Sequence, residues 1–206
     1  MTHDVHQSGD SYEIRSIYFD DIYDSCLQEN EAGVDPRKKY RVRIYGASDE
    51  LIRLEIKEKN RSLTKKSSCI VTKEEYKMIL KGDELPPFSD RAPLNLLLMK
   101  IKCDHLRPKA IVAYERSAFV YPAGNVRITF DRNICASRHI DSFFKKELIA
   151  PVPVLPSGLH VLEVKYDELL PSVIAGQLET GSLRQTAFSK YYLGRLALGG
   201  DFPIER

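Results

Sequence analysis

No apolar run in the sequence approaches the roughly 20 residues of a membrane span, and Met1 to Asp10 are polar with two histidines, unlike a signal peptide. Both absences point to a soluble, cytoplasmic chain with no membrane segment. There is no Cys-x-x-Cys pair either. Cys26, Cys69, Cys103 and Cys135 lie 43, 34 and 32 positions apart, which disfavours structural zinc and dithiol redox chemistry and leaves free, mostly buried thiols. Internal repeats and low-complexity stretches are absent, and 206 residues with 43% apolar content suit one domain with a substantial core, not two. The net charge is nearly nil, 31 basic against 29 acidic side chains, so the global balance names no partner.

What the chain does have is segregated charge. From Asp10 to Glu31 seven acids face one base, Arg15, whereas from Arg37 to Lys73 twelve bases face four acids. Lys39-Tyr-Arg-Val-Arg-Ile-Tyr45 alternates, so a strand there sets Arg41 and Arg43 against Tyr40, Val42 and Ile44. Leu51 to Lys59 does the same, with Arg53, Glu55, Lys57 and Lys59 sharing a face, and the turn formers Gly46 to Glu50 suggest a hairpin between the two. Ile111 to Tyr121 aligns Tyr114, Arg116 and Ala118. After a turn at Pro122 to Asn125, Arg127, Thr129 and Asp131 alternate with Val126, Ile128 and Phe130, and His160 to Tyr166 presents Glu163 with Lys165. With Ser16 to Phe19 and Ser67 to Val71 these make seven expected strands.

Two accounts cover such strands. The charged face of an antiparallel sheet can simply point to water. Alternatively the sheet curls with that face inward, making a basic tunnel with a few carboxylates, which a polyanion would complete because like charges repel strongly where water is restricted.

Helices are expected at Glu74 to Leu80 behind a Thr72/Glu75 capping box, at Ala92 to Cys103, at Phe143 to Leu148 as a short amphipathic piece, at Pro171 to Leu178, and at Arg184 to Leu198. The fold class is therefore α+β, an antiparallel sheet, either solvated on its charged face or curled into a barrel-like tunnel, with flanking helices. The proline-rich Pro151 to Pro156 reads as a loop inside one domain, residues 1–206.

Taken in order, Ile14-Arg-Ser-Ile-Tyr-Phe-Asp-Asp21, Lys39 to Tyr45, Leu54-Glu-Ile-Lys-Glu-Lys59, Tyr114-Glu-Arg116, Arg127-Ile-Thr-Phe-Asp131, Leu162-Glu-Val-Lys165 and Phe188-Ser-Lys-Tyr191 resemble the VTC domain. This is the polyphosphate polymerase domain of the vacuolar transporter chaperone complex, one of the triphosphate tunnel metalloenzymes alongside CYTH proteins. The resemblance spans about Tyr12 to Arg195. It implies that Arg41, Arg43, Lys57, Arg116, Arg127 and Lys190 act on phosphate, that Lys59, Lys66, Lys165 and Ser189 help bind substrate, and that Glu163 holds Mn²⁺ or Mg²⁺. Family members begin with a strand carrying Glu and Lys, followed by a helix. Met1 lies too close to Ser16 for both, so this chain is expected to lack them.

The implied chemistry is transfer of the ATP γ-phosphate to a polyphosphate chain. Guanidinium forks suit it, and an acceptor phosphate that is already ionised needs no general base. A non-catalytic polyphosphate- or nucleotide-binding module and a triphosphatase of the same superfamily are the rivals. Nucleic acid is not expected as a partner, because stacking aromatics should share the face of the cations and Tyr40 lies opposite Arg41 and Arg43.

Overall fold

The computed structural model describes residues 1–4, 9–61, 63–82, 86–179, 181 and 185–199. The two alternating basic segments become β3 (Arg37–Tyr45) and β4 (Arg53–Asn60), a hairpin with Lys39 opposite Lys57 and Arg41 opposite Glu55. On one side of it β4 pairs with β5 (Leu63–Ile70), and on the other β3 pairs with β2 (Tyr12–Asp20), where Ser16 opposes Arg43 and Tyr18 opposes Arg41. β2 continues the ladder into β6 (Arg107–Tyr121), and β6 into β7 (Val126–Ser137), with Arg116 opposite Asp131. β7 carries β8 (Val152–Pro153) and β9 (Val161–Lys165) along its far edge, while β1 (Thr2–His3) lies beside the end of β6. Every pairing is antiparallel.

Directly opposed residues point to the same side of a sheet, so the register gathers Ser16, Tyr18, Arg41, Arg43, Glu55, Tyr114, Arg116, Thr129, Asp131 and Glu163 on one face. That face is the inside of a curl. Lys57 on β4 lies close enough to β9 for Lys165 to help lower, and Glu163 to oppose lowering, its ammonium pKa after partial desolvation has already reduced it. Among the described residues no ladder joins β5 to β9, so the tunnel-like sheet stops short of hydrogen-bonded closure.

The opposite face holds the core. Val42, Ile44, Leu54 and Ile56 are buried with Leu94, Leu97, Leu98 and Ile101 of α3 (Ala92–Cys103), which packs against β4 and β5. α2 (Lys73–Lys81) starts at the expected capping box: Glu75 N donates to Thr72 Oγ1 (3.1 Å) and Thr72 N to Glu75 Oε2 (2.9 Å). α4 (Ser172–Leu178) covers a smaller cluster with Ile174 against Val126 and Ile128.

Besides the two-residue strands β1 and β8, which are not among the seven expected, three segments depart from the sequence reading. α1 (Ser25–Glu31) was not anticipated; the buried Asp20 carboxylate accepts from the amides of Cys26 and Leu27 and so starts it. Residues 143–148 are not helical, because the buried Arg15 guanidinium takes the carbonyls of Phe143, Lys145 and Lys146 that helical amides would need. The last helix, α5, is shorter than expected (Lys190–Ala197), since Ser189 caps it by accepting from Tyr192 N; Arg184 lies outside the described residues. The four thiols are free, but of these Cys26 alone is buried and Cys103 is exposed. Among the described residues no helix is long and apolar enough to cross a membrane.

α5 lies inside the curl. Gly194 packs against Val112 and Ala136, which share the face of Arg43, and a Cβ there would stand 3.1 Å from Val112 Cγ2 and 3.3 Å from Ala136 Cβ. Tyr191 stacks on Tyr18 with ring centroids 4.9 Å apart and donates to Asp20 (2.7 Å). A helix therefore blocks part of the inner face and aims its N-terminus at the cations.

Candidate functional site

Two buried carboxylates organise the basic face. Glu55 is 2% exposed and meets three cations: Arg41 Nε donates to its Oε2 (2.7 Å), Arg43 Nη1 stands 3.6 Å from the same oxygen, and Lys66 pairs with Oε1. Burial would raise its pKa, but the charges of Arg41, Arg43 and Lys66 hold the carboxyl down to about 2. The arginines are fixed from their other sides as well. Arg41 Nη1 donates to Tyr18 Oη (3.1 Å), while Arg43 donates to Ser16 Oγ and to Tyr114 Oη, both at 3.2 Å. Burial favours the neutral Tyr18 phenol, yet Arg41 and Arg43 bring its pKa below the ordinary tyrosine value.

The second hub is Asp131, fully buried on β7. Arg116 grips it bidentately through Nε (2.7 Å) and Nη2 (2.8 Å), and Lys190, delivered by the first turn of α5, reaches Oδ2 at 2.6 Å. Tyr114 lies beneath both cations, its ring centroid 5.2 Å from the Arg116 guanidinium and 4.9 Å from Lys190 Nζ. Burial opposes ionisation of Asp131, and Arg116 with Lys190 outweighs it, so the carboxyl sits below its usual range.

Glu163 is the half-buried acid of the face. Its Oε1 pairs with Lys165 (3.2 Å) and its Oε2 lies 3.7 Å from Arg116; despite desolvation these charges and Lys190 keep it below the usual carboxylate value. Directly across the β7–β9 ladder, Thr129 Oγ1 is buried without a hydrogen-bond partner. Among the described residues there is no cluster of three or more His, Cys, Asp or Glu side chains, so no all-protein metal cage exists. One carboxylate beside an orphan hydroxyl fits a different arrangement, a small hard cation that takes most of its oxygens from a bound phosphate.

The expected phosphate ligands thus fall into groups. Arg41, Arg43 and Lys66 meet at Glu55; Arg116 and Lys190 meet at Asp131; Lys165 belongs to Glu163. Lys57, Lys59 and Ser189 line a cavity of about 480 Å³ between β3, β4 and the start of α5. Arg127 stands apart at the rim, its Nη2 2.8 Å from Asp4 and 3.4 Å from Tyr12 Oη. Glu55, Asp131, Tyr18 and Tyr114 were not among the expected site residues. A signal existed, since each shares its strand face with an expected arginine or, in register, opposes one, but a lone acid between bases reads equally as a solvated pair. Tyr40, by contrast, is buried in the core away from the cations, as the alternation required.

This architecture matches known proteins. A candidate adenylate cyclase from Bacillus halodurans superposes with a TM-score of 0.52 at 15% identity, over 89% of this chain and 81% of that one, which establishes likeness of fold. A candidate adenylyl cyclase from Hippeastrum, described as having a dominant triphosphatase activity, aligns over 95% of this chain and 86% of its own at 13% identity and a TM-score of 0.49. No curated protein matches the sequence significantly. The family profile described as the VTC domain covers residues 1–198, nearly the whole chain. With its ordered motifs, curled basic sheet and this match, the chain belongs to the VTC domain family.

Proposed function

We propose that the chain binds triphosphate or polyphosphate on its basic inner face and transfers the γ-phosphoryl group of ATP to a polyphosphate chain. The observation that carries this is the preorganisation of the guanidinium forks. Arg41, Arg43 and Arg116 are each immobilised by a buried carboxylate and a tyrosine before any anion arrives, so their remaining N–H groups meet phosphate oxygens with little further ordering.

In the transfer, an oxygen of the acceptor's terminal phosphate attacks the γ-phosphorus in line, and the bond to the β–γ bridging oxygen breaks as ADP departs with its electron pair. The acceptor is ionised at neutral pH and needs no base. Arg41 and Arg43 orient the donor phosphates, while Arg116 and Lys190 bear on the equatorial oxygens from the Asp131 side. Mg²⁺ or Mn²⁺ held by Glu163 and Thr129 would supply charge neutralisation on the phosphates.

Glu163→Gln keeps the side-chain size and removes its charge. Turnover of ATP in Mn²⁺ is expected to fall at least about a hundredfold, with triphosphate affinity unchanged or slightly raised, because removing an acid from a basic face does not weaken its attraction for anions. A second reading, a binding module without turnover, is favoured by the prior engagement of Glu163 with Lys165 and Arg116. Tight triphosphate binding with neither ADP nor polymer formed by the wild-type chain would select it.

A further inference from the structure

Where α5 enters the curl, a buried polar network stands behind the cations. The Asp20 carboxylate is fully buried and accepts from the amides of Asp21 (3.0 Å), Cys26 (2.9 Å) and Leu27 (3.0 Å) and from the Tyr191 hydroxyl (2.7 Å). Tyr191 is itself 1% exposed. Arg195, one turn further along α5 and clamped by both oxygens of Asp24 (2.9 and 2.6 Å), donates to the same hydroxyl (3.0 Å). Gly194 sets the distance of α5 from the sheet by its close contact with Val112 and Ala136, whereas the directional bond from Tyr191 to Asp20 sets its rotation. The hydroxyl and the carboxylate were both desolvated to make that bond, a cost that packing alone avoids with phenylalanine against an apolar partner.

Two lines run from Tyr191 to the basic face. Its chain neighbour Lys190 reaches Asp131 Oδ2 at 2.6 Å, above the Tyr114 ring. Its own ring stacks on Tyr18, with centroids 4.9 Å apart and planes 21° apart, and Tyr18 Oη accepts from Arg41 (3.1 Å). We propose that Tyr191 is a positioning residue for the basic face: its hydroxyl, held by Asp20, fixes the rotation of α5 that aims Lys190, and its ring backs Tyr18 and so Arg41, keeping the Asp131 and Glu55 halves in register. Being buried, Tyr191 acts through Lys190 and Arg41 and not on phosphate itself. The inference rests on the reading of the basic face given above and deepens it.

The experiment combines steady-state turnover of ATP in Mn²⁺ with titration calorimetry of inorganic triphosphate, on the wild type, Tyr191→Phe, Lys190→Gln and the double variant. Tyr191→Phe keeps the ring on Tyr18 and loses the hydroxyl. It is expected to lower kcat about tenfold and to change KM for ATP by less than about threefold, because Lys190 bears on oxygens that gain charge in the transition state while Arg41 still orients the donor. On the Lys190→Gln background the same substitution should change kcat by less than about twofold, since the group it aims is gone. Tyr191→Leu, which removes the ring as well, should weaken triphosphate binding about tenfold, and that loss should vanish on an Arg41→Gln background. An unchanged kcat in Tyr191→Phe, or effects that simply add to those of Lys190→Gln and Arg41→Gln, would overturn the proposal and leave Tyr191 a packing residue. Should Tyr191→Phe fail to fold, Asp20→Asn withdraws the carboxylate oxygen that the hydroxyl meets and carries the same expectations. A wild-type chain that binds triphosphate without turning over ATP rejects the transfer reading separately, and the calorimetric cycle of Tyr191→Leu with Arg41→Gln then decides the positioning role.

Discussion

Glu55→Gln tests whether the carboxylate hubs occupy the places of the phosphate oxygens proposed for the basic face. In the folded chain the Glu55 carboxyl is held at about 2 against an unfolded value near 4.3, which corresponds to about 3 kcal/mol of stability at neutral pH. Breaking a buried pair by removing one partner costs a similar 3–5 kcal/mol or so, since Arg41 and Arg43 would be left facing each other without an anion. The variant is therefore expected to unfold about 6–12 °C below the wild type, at roughly 2–4 °C per kcal/mol for a chain of this size. The folded pKa is depressed, so the contribution is fully present above the unfolded value and is lost as pH falls toward 2; wild type and variant should converge on acidification. Triphosphate should close the gap, because its oxygens can replace the missing carboxylate between the same guanidinium groups. The assay is thermal unfolding at neutral and acidic pH, with and without saturating triphosphate. Equal triphosphate-induced shifts in both proteins would refute the reasoning, as would an unfolding temperature unchanged by the substitution.

Two further outcomes follow from the geometry. Arg43→Ala should weaken triphosphate binding about tenfold, or about 1.4 kcal/mol, in calorimetry, and Arg127→Ala should weaken it less, because Arg127 lies at the rim, already paired with Asp4. Gly194→Val should cost about 2 kcal/mol in denaturant unfolding by overpacking α5 against Val112 and Ala136, and should also weaken triphosphate binding by displacing Lys190 from Asp131.

The period-two alternation in Lys39 to Tyr45, Leu51 to Lys59 and Arg127 to Asp131 by itself determined the principal strands and which residues share a face, because successive side chains of an extended backbone must point to opposite sides whatever surrounds them. The Thr72/Glu75 capping box was equally local and equally legible. Only the tertiary structure decided what lies between those faces. Glu55 and Asp131 could have been solvated partners of neighbouring cations, worth little; the curl of the sheet removes water from them, and desolvation makes each an anchor for two or three cations drawn from different strands and, in Lys190, from the last helix. The same holds where sequence reasoning failed. The backbone at residues 143–148 gives its carbonyls to Arg15, more than a hundred positions earlier in the chain, and α1 starts on the carboxylate of Asp20. Local pattern carries no information about partners that distant, because the free energy of a buried charge depends on which groups the fold brings within reach of it.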